Sequence, residues 1–250
     1  MFPLQLLVCF PPPFPPHPFK KEIMDKVTQR TFFGYVTVFL VDIRSLGPSQ
    51  WIRTNIIAYW FARLQQNHPS TDVLLLDPSV AQCMCSFNDA SLGPVEELRS
   101  SSMVLVPINN HWATDINSGT HWSLLVIVIG PPHQRGGSSN SGGGGTYRPF
   151  HIDSANNGNS LLCARVWNVV GRVFQPIGIL PEIQHVEGTP HQRNSYDCGS
   201  FLCLAAHEIV SNLRRSLELL DGGVNFSFAD CGDCGDAFRN CLLRELQCDH

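Results

Sequence analysis

Three short apolar runs in the middle of the chain limit its fold more than any other feature. They are MVLVPI (103–108), WSLLVIVI (122–129) and the strand-like YRPFHID (147–153). Their length and their content of β-branched and aromatic residues predict buried strands. A further run, VLLL (73–76), is compatible with a short strand or with the start of a helix. The chain is therefore expected to fold around a sheet.

The last two strands of this set are separated by a stretch that has almost no apolar side chains. Residues 131–148 include PPHQRGGSSNSGGGG, and we expect a flexible surface insertion there. Because the entropy of loop closure grows slowly with loop length, the flanking strands can still pair as a hairpin. In such a hairpin the start of the first strand lies beside the end of the second.

Apolar residues at helical spacing surround this sheet in the sequence. Amphipathic helices are predicted within 56–64, 162–173 and 201–213, and a last one in AFRNCLLRELQ (237–247). The alternation in EIQHVE (182–187) predicts one more strand. Separate helical and strand segments in one chain of 250 residues indicate a single α+β domain.

The N-terminal part of the chain differs from the rest in composition. Prolines dominate FPPPFPPHPF, so we predict a Pro-rich leader over residues 1–40 and a folded domain over 41–250. The apolar run FFGYVTVFLV (32–41) is too short to span a bilayer, and its composition favours a strand. The first ten residues lack a basic segment and are followed by three prolines, which is atypical of a signal peptide.

Composition narrows the function classes. A net charge of -4 gives no general reason to expect binding to nucleic acid or to an anionic membrane. The ten cysteines are unevenly spaced, so we expect reduced thiols and a location in the cytoplasm, the nucleus or both. CGDC (231–234) has the spacing of half a zinc site, but it lacks a convincing second pair. We therefore expect no metal and no cofactor.

One cysteine stands where a nucleophile would be useful. Cys198, in HQRNSYDCGSF (191–201), lies at the predicted start of a helix, where free N–H groups favour a thiolate. A nucleophilic thiol also needs a histidine base and a residue that orients it. His121 opens one strand of the predicted hairpin and Asp153 closes the other, which would make them neighbours. Taken singly, each of these residues is more often structural than catalytic.

Two further residues near Cys198 are candidates for supporting roles. The amide of Gln192, together with the N–H of Cys198, could stabilise an oxyanion. Asp197 is predicted to cap the helix that follows it, with contact to a substrate as the alternative.

In order and register, the motifs GTHWSLLV, FHIDS and QRNSYDCGSF resemble those of the Ulp/sentrin-specific family of cysteine proteases, and most closely its deneddylase branch. The resemblance covers about residues 41–215. It implies a papain-like α+β fold of the Ulp type, with a central mixed sheet and the nucleophile at a helix N-terminus. It also implies that His121, Asp153 and Cys198 form the catalytic triad and that the Gln192 amide stabilises the oxyanion.

The resemblance also implies a substrate and the residues that bind it. Family members cut after the C-terminal Gly-Gly of ubiquitin-like proteins, here the NEDD-type modifier and its conjugates, with the enzyme as a monomer. Trp51 resembles the tryptophan that covers the diglycine, and Trp122 the one that packs beside the catalytic pair. Thr54 stands where the family usually has Asp, so Arg53 or Asn55 is expected to supply that polar contact. A SUMO-specific protease, a non-catalytic binding module and an acyltransferase remain alternatives.

Overall fold

A computed structural model describes residues 29–69, 72–110, 120–130, 147–155, 158–186, 189–213 and 234–248. Residues 1–28 of the predicted leader, residues 131–146 of the predicted insertion, and Cys231, which begins the CGDC segment, lie outside this part of the chain.

A five-stranded mixed sheet forms the centre of the fold, as the apolar runs predict. Its strands are β3 (Val73–Leu75), β4 (Met103–Asn109), β5 (Trp122–Ile129), β6 (Tyr147–Ile152) and β7 (Gln184–His185). They lie side by side in this order, with parallel pairs at the two edges and antiparallel pairs between them. The run at 73–76 is therefore a strand, and the strand predicted over 182–187 is confirmed for only two residues.

Both faces of the sheet are buried at its central strands β4 and β5, which explains why these two strands are continuous apolar runs. Side chains alternate between the faces, so that Leu124 and Val126 enter one core while Leu125 and Ile127 enter the other. In chain order the helices are α1 (Leu40–Arg44), α2 (Thr54–Asn67), α3 (Pro78–Phe87), α4 (Val95–Ser100), α5 (Ser160–Phe174), α6 (Cys198–Ser211) and α7 (Cys234–Cys248). Helices α2, α6 and α7 pack in the first core, and α3, α4 and α5 pack in the second.

The four helices predicted from apolar spacing are confirmed as α2, α5, α6 and α7. Helix α6 crosses the first face of the sheet and buries Leu202, Ala206 and Ile209. Its first residue is Cys198, so the predicted position of this cysteine at a helix N-terminus is also confirmed. Among the described residues, no helix is both long and apolar enough to cross a membrane.

An N-terminal hairpin packs on the first core. It consists of β1 (Gln29–Phe32) and β2 (Val36–Phe39), so the apolar run at 32–41 forms a turn, a strand and the start of α1 instead of one strand. Phe32, Val36 and Val38 are buried. Residues 29–39, which fall within the predicted leader, therefore form a hairpin that packs on the first core.

Candidate active site

The predicted neighbours His121 and Asp153 meet at one end of the β5–β6 hairpin. The antiparallel register pairs Leu124 with Ile152, which leaves His121 just before one strand and Asp153 just after the other. His121 Nε2 lies 2.7 Å from Asp153 Oδ1. The Asp153 side chain is fully buried, whereas 13% of the His121 side chain is exposed. The imidazole therefore sits at the surface on a carboxylate held in the interior.

Backbone donors from the loop after β6 hold the Asp153 carboxylate in its ionised form. Ala155 N–H donates to Oδ1 at 2.8 Å and Asn159 N–H donates to Oδ2 at 3.1 Å. Burial alone would raise the pKa of Asp153, but these bonds and the one to His121 outweigh it, so the pKa is lowered. A permanent negative charge is thus fixed beside His121.

This charge controls the protonation of His121. Burial lowers the pKa of His121, but hydrogen bonds and charge interactions with Asp153 and Cys198 overcome it and raise the pKa from 6.5 to about 9. Because Nε2 faces Asp153, the other ring nitrogen, Nδ1, is left for the Cys198 thiol. His121 is therefore placed to take a proton from Cys198 and to hold it at neutral pH.

A buried polar layer that the sequence did not reveal lies beneath this pair. His151 is 0% exposed, and its Nε2 lies 3.0 Å from Ser123 Oγ, which also accepts from Asn159 Nδ2 at 3.1 Å. Burial lowers the pKa of His151 to about 4 despite the nearby Asp153, so His151 is neutral where His121 is charged. The one sequence signal was the histidine in FHIDS, two residues before Asp153.

Cys198 lies in the first turn of α6, with 1% of its surface exposed. The next residue has to be glycine, because a Cβ on Gly199 would lie 2.8 Å from Ile52 Cβ and 3.4 Å from Trp122 Cδ1. Trp122 is 3% exposed and donates its indole N–H to the Ile52 carbonyl at 2.9 Å. Trp122 packs in the core beside the start of α6, and its predicted contact with substrate stays a prediction.

Gln192 is tied to the same strand end as Asp153. Its Oε1 accepts from Ser154 Oγ at 2.9 Å, and its backbone N–H donates to the Ser154 carbonyl at 3.0 Å. One Nε2 hydrogen is used on the Asn194 carbonyl at 2.7 Å, and Nε2 carries a second hydrogen. The amide is thus oriented from both ends, and it belongs to the loop that leads into Cys198.

Trp51 binds the same loop through its indole. Its indole N–H donates to the Ser195 carbonyl at 2.6 Å, while 47% of the residue is exposed. A half-exposed tryptophan fastened three residues before Cys198 is suitable as a cover over a substrate chain.

Arg53 and Asn55, which were expected to supply the polar contact of the family aspartate, both donate hydrogen bonds to Asp42. Asp42, which is 1% exposed, receives Arg53 Nε at 3.1 Å and Asn55 Nδ2 at 2.8 Å. The amide of Asn55 stabilises the buried Asp42, since an unpaired buried carboxylate would be costly. The contact of Asn55 with substrate stays a prediction. The Arg53 side chain is still 29% exposed.

The predicted capping role of Asp197 is wrong. Asp197 occupies the N-cap position of α6, but its side chain makes no capping hydrogen bond. Its carboxylate instead accepts from Asn194 Nδ2 at 2.8 Å and from Arg239 Nε at 3.0 Å. The buried arginine competes successfully for the carboxylate because it would otherwise be an uncompensated charge.

Comparison with known proteins agrees with this geometry. Human sentrin-specific protease 8 is 28% identical over 185 residues, which are 70% of this chain and 77% of that protein. NEDD8-specific protease 1 of Arabidopsis thaliana is 25% identical over 176 residues, 67% of this chain and 69% of its own. The C-terminal Ulp1 protease domain, solved in complex with Smt3, the yeast ortholog of SUMO, superposes with a TM-score of 0.53 at 16% identity, covering 91% of this chain and 96% of that one.

The family assignment depends on the middle of the chain, which holds β4, β5, β6, α5 and α6. Residues 94–220, about half of the sequence, match the C-terminal catalytic domain of the Ulp1 protease family. This range contains His121, Asp153, Gln192 and Cys198, whereas Trp51 precedes it. The chain therefore belongs to the Ulp1 protease family.

Proposed function

We propose that the chain is a cysteine protease that hydrolyses the peptide or isopeptide bond after the C-terminal Gly-Gly of a ubiquitin-like modifier, with the NEDD-type modifier as its substrate. The observation that carries the proposal is the position of His121, which is hydrogen-bonded to the buried Asp153 and lies close enough to Cys198 for that thiol to help raise its pKa. A thiol paired with an oriented histidine is the arrangement that nucleophilic catalysis requires.

The reaction follows from the roles of these groups. His121 takes the proton of Cys198, and the sulfur attacks the glycine carbonyl while the Cys198 N–H and the Gln192 amide stabilise the oxyanion. The C–N bond then breaks as His121 gives its proton to the leaving amine, which leaves a thioester. Water loses a proton to His121 and attacks the thioester, and the C–S bond breaks to release the modifier. Asp153 keeps the imidazole oriented throughout.

The cover formed by Trp51 supports a diglycine requirement. The indole is fastened directly to the loop before Cys198, so a substrate chain has to run against its exposed surface, and glycine is the residue without a side chain to accommodate there. The choice of modifier is supported by the names of the relatives, which include NEDD8-specific proteases. Polar contacts on the modifier tail would come from Arg53, whose side chain is partly exposed.

Covalent labelling tests the proposal. Purified protein is incubated with electrophilic C-terminal probes of the NEDD-type modifier, SUMO and ubiquitin, and adducts are detected as a gel shift. We expect a shift with the NEDD-type probe in wild type and in Cys203→Ala, and none in Cys198→Ala. Cys203 is the matched control because it lies in the same helix and is fully buried, and burial raises its pKa well above the usual value.

Two other outcomes of this labelling experiment would change the proposed substrate or the proposed function. A shift with the SUMO probe alone would still identify Cys198 as the nucleophile, but it would show that the enzyme prefers SUMO to the NEDD-type modifier. Modifier binding without any shift, from protein with a cooperative thermal transition, would contradict the protease proposal and favour a non-catalytic binding module.

A further inference from the structure

The guanidinium of Arg239 joins two segments that lie on either side of the candidate active site. This residue belongs to α7, which is outside the 94–220 range that matches the family, and it is only 2% exposed. It donates Nε to Asp197 Oδ1 at 3.0 Å and Nη2 to the Tyr196 carbonyl at 2.9 Å. On its other side, Nη1 donates to the carbonyls of Ser45 at 3.0 Å and Gly47 at 3.4 Å.

Each of the two segments carries residues of the site. The first leads from Ser45 and Gly47 to Trp51, and the second leads through Tyr196 and Asp197 to Cys198. Trp51 itself crosses between them, with its indole on the Ser195 carbonyl. Arg239 and Trp51 therefore bind the same pair of segments, Arg239 from the interior and Trp51 from the surface.

Helix α7 gives Arg239 a firm base. Phe238 packs edge-to-face on Trp60 with ring centroids 5.0 Å apart, and Leu242 and Leu246 are buried in the first core. The start of the helix presses against the loop, because a Cβ added to Gly235 would overlap the Asp197 carboxylate. Glycine at this position permits the close approach that the Arg239–Asp197 ion pair needs.

A planar guanidinium suits this location better than any other cation. It has five N–H donors in a fixed fork, so that one side chain can bind a carboxylate and carbonyls on separate segments at once. The Asp197 carboxylate, whose side chain is 10% exposed, balances the buried charge. The ammonium of lysine offers donors at a single point and could not span both segments.

Starting from the proposed protease function, we propose that Arg239 is a positioning residue, which acts through Asp197 and Tyr196 on Cys198 and through Ser45 and Gly47 on Trp51. It fixes the start of α6 relative to the tryptophan cover. A displacement of about 1 Å in a reacting group can cost about 100-fold in rate. The loss of the Arg239 hydrogen bonds should therefore lower kcat, although Arg239 itself does not touch the substrate.

Two measurements on the full chain test this inference with the variant Arg239→Lys. The first is kcat for the aminomethylcoumarin amide of the modifier, divided by the concentration of active sites titrated with the matching probe. We expect this value to fall about 10- to 100-fold. A purely structural role would lower the fraction of active molecules and leave the turnover of each one unchanged.

The second measurement is amide hydrogen exchange, which needs no modifier. In Arg239→Lys we expect exchange to rise about tenfold at 194–198 and at 45–51, with the sheet unchanged. Arg30→Lys is the matched control, because Arg30 donates to the Leu246 carbonyl of the same helix at 2.7 Å but touches neither segment. It should leave both the normalised kcat and the local exchange as in wild type.

Failure of this inference differs from failure of the proposed function. If wild type cleaves no modifier but exchange rises locally in Arg239→Lys, the function is wrong and the positioning of the two segments stands. If wild type is active and Arg239→Lys retains its normalised kcat within about threefold, or Arg30→Lys loses as much, the inference is overturned. Asp197→Asn serves as a second variant, and combined with Arg239→Lys it should lower kcat no further than the more damaging single change.

Discussion

The active site is assembled from two regions that are held in place by different means. The sheet half consists of His121 and Asp153, at adjacent ends of β5 and β6. The loop half consists of residues 189–198, which carry Gln192 and end at Cys198. In the sheet half, paired backbone bonds from Leu124 to Ile129 set the positions of both residues. The loop half has no strand ladder. Besides one backbone bond from Gln192 to Ser154 and bonds within the loop, it depends on side chains that reach it from elsewhere.

The sources of those side chains make the contrast quantitative. The bonds that fasten the loop half come from Trp51, Ser154 and Arg239, which are 144, 38 and 42 residues away from their partners. In the sheet half, Asp153 is held by His121, which is 32 residues away but paired through the hairpin, and by backbone N–H groups only two and six residues further along. A backbone ladder survives most substitutions, whereas a side-chain bond is lost with one. A single substitution should therefore displace the loop half more easily than the sheet half. The sheet half depends instead on the negative charge of Asp153.

The largest effect is expected from removing the charge of the sheet half. Asp153→Asn preserves shape, but it removes the carboxylate that orients His121 and keeps it protonated, and kcat should fall about 10³- to 10⁴-fold. Modifier-amide hydrolysis per titrated site measures this loss. Asp89→Asn, the same change at an exposed aspartate, is the control. A loss below about tenfold would mean that the ladder alone positions His121.

The next largest effect is expected in the loop half. Gln192→Ala removes one oxyanion donor and should lower kcat about 10²- to 10³-fold, with KM nearly unchanged, because the donor acts on the transition state. The control is Gln175→Ala, a glutamine whose amide binds only the Ile179 carbonyl of its own loop. An equal rise in KM would instead assign Gln192 to substrate binding.

Alkaline pH tests the sheet half without any substitution. Since Asp153 and Cys198 raise the pKa of His121 to about 9, the imidazolium that protonates the leaving amine is present below that pH and is lost as pH rises through it. The alkaline limb of kcat/KM should therefore lie near pH 9 and fall about tenfold per unit above it. A limb near the ordinary value of 6.5 would show that the carboxylate does not govern His121.

The sequence predicts the sheet half well because its causes are local. Apolar runs define β5 and β6, and hairpin pairing then brings His121 to Asp153 whatever the length of the insertion. The position of Cys198 is predictable for a similar reason, since loop-forming residues give way to a helical stripe at that point. These inferences need only strand alternation and helical spacing.

The bonds that hold the loop half could not be predicted, because they join residues with no shared pattern. Nothing about Arg239 in AFRNCLLRELQ indicates a buried guanidinium, and Asp197 looked like a helix cap until the arginine was seen to bind it. The bond from Asn55 was not foreseen for the same reason, since its partner Asp42 lies thirteen residues away in another helix. Buried polar pairs depend on tertiary packing, which spacing along the chain does not encode.

The smallest effect is expected at the side-chain hydrogen bond between the two regions, which accompanies the backbone bond from Gln192 N–H to the Ser154 carbonyl. Ser154, next to Asp153, donates its hydroxyl to Gln192 Oε1 at 2.9 Å. Ser154→Ala removes a single neutral hydrogen bond, which is worth about 1 kcal/mol, so kcat should fall about fivefold. Because the serine acts only through the glutamine, Ser154→Ala should add no further loss in the Gln192→Ala background. Full additivity of the two losses would mean that Ser154 supports the sheet half on its own, and that the two regions are joined by backbone contacts alone.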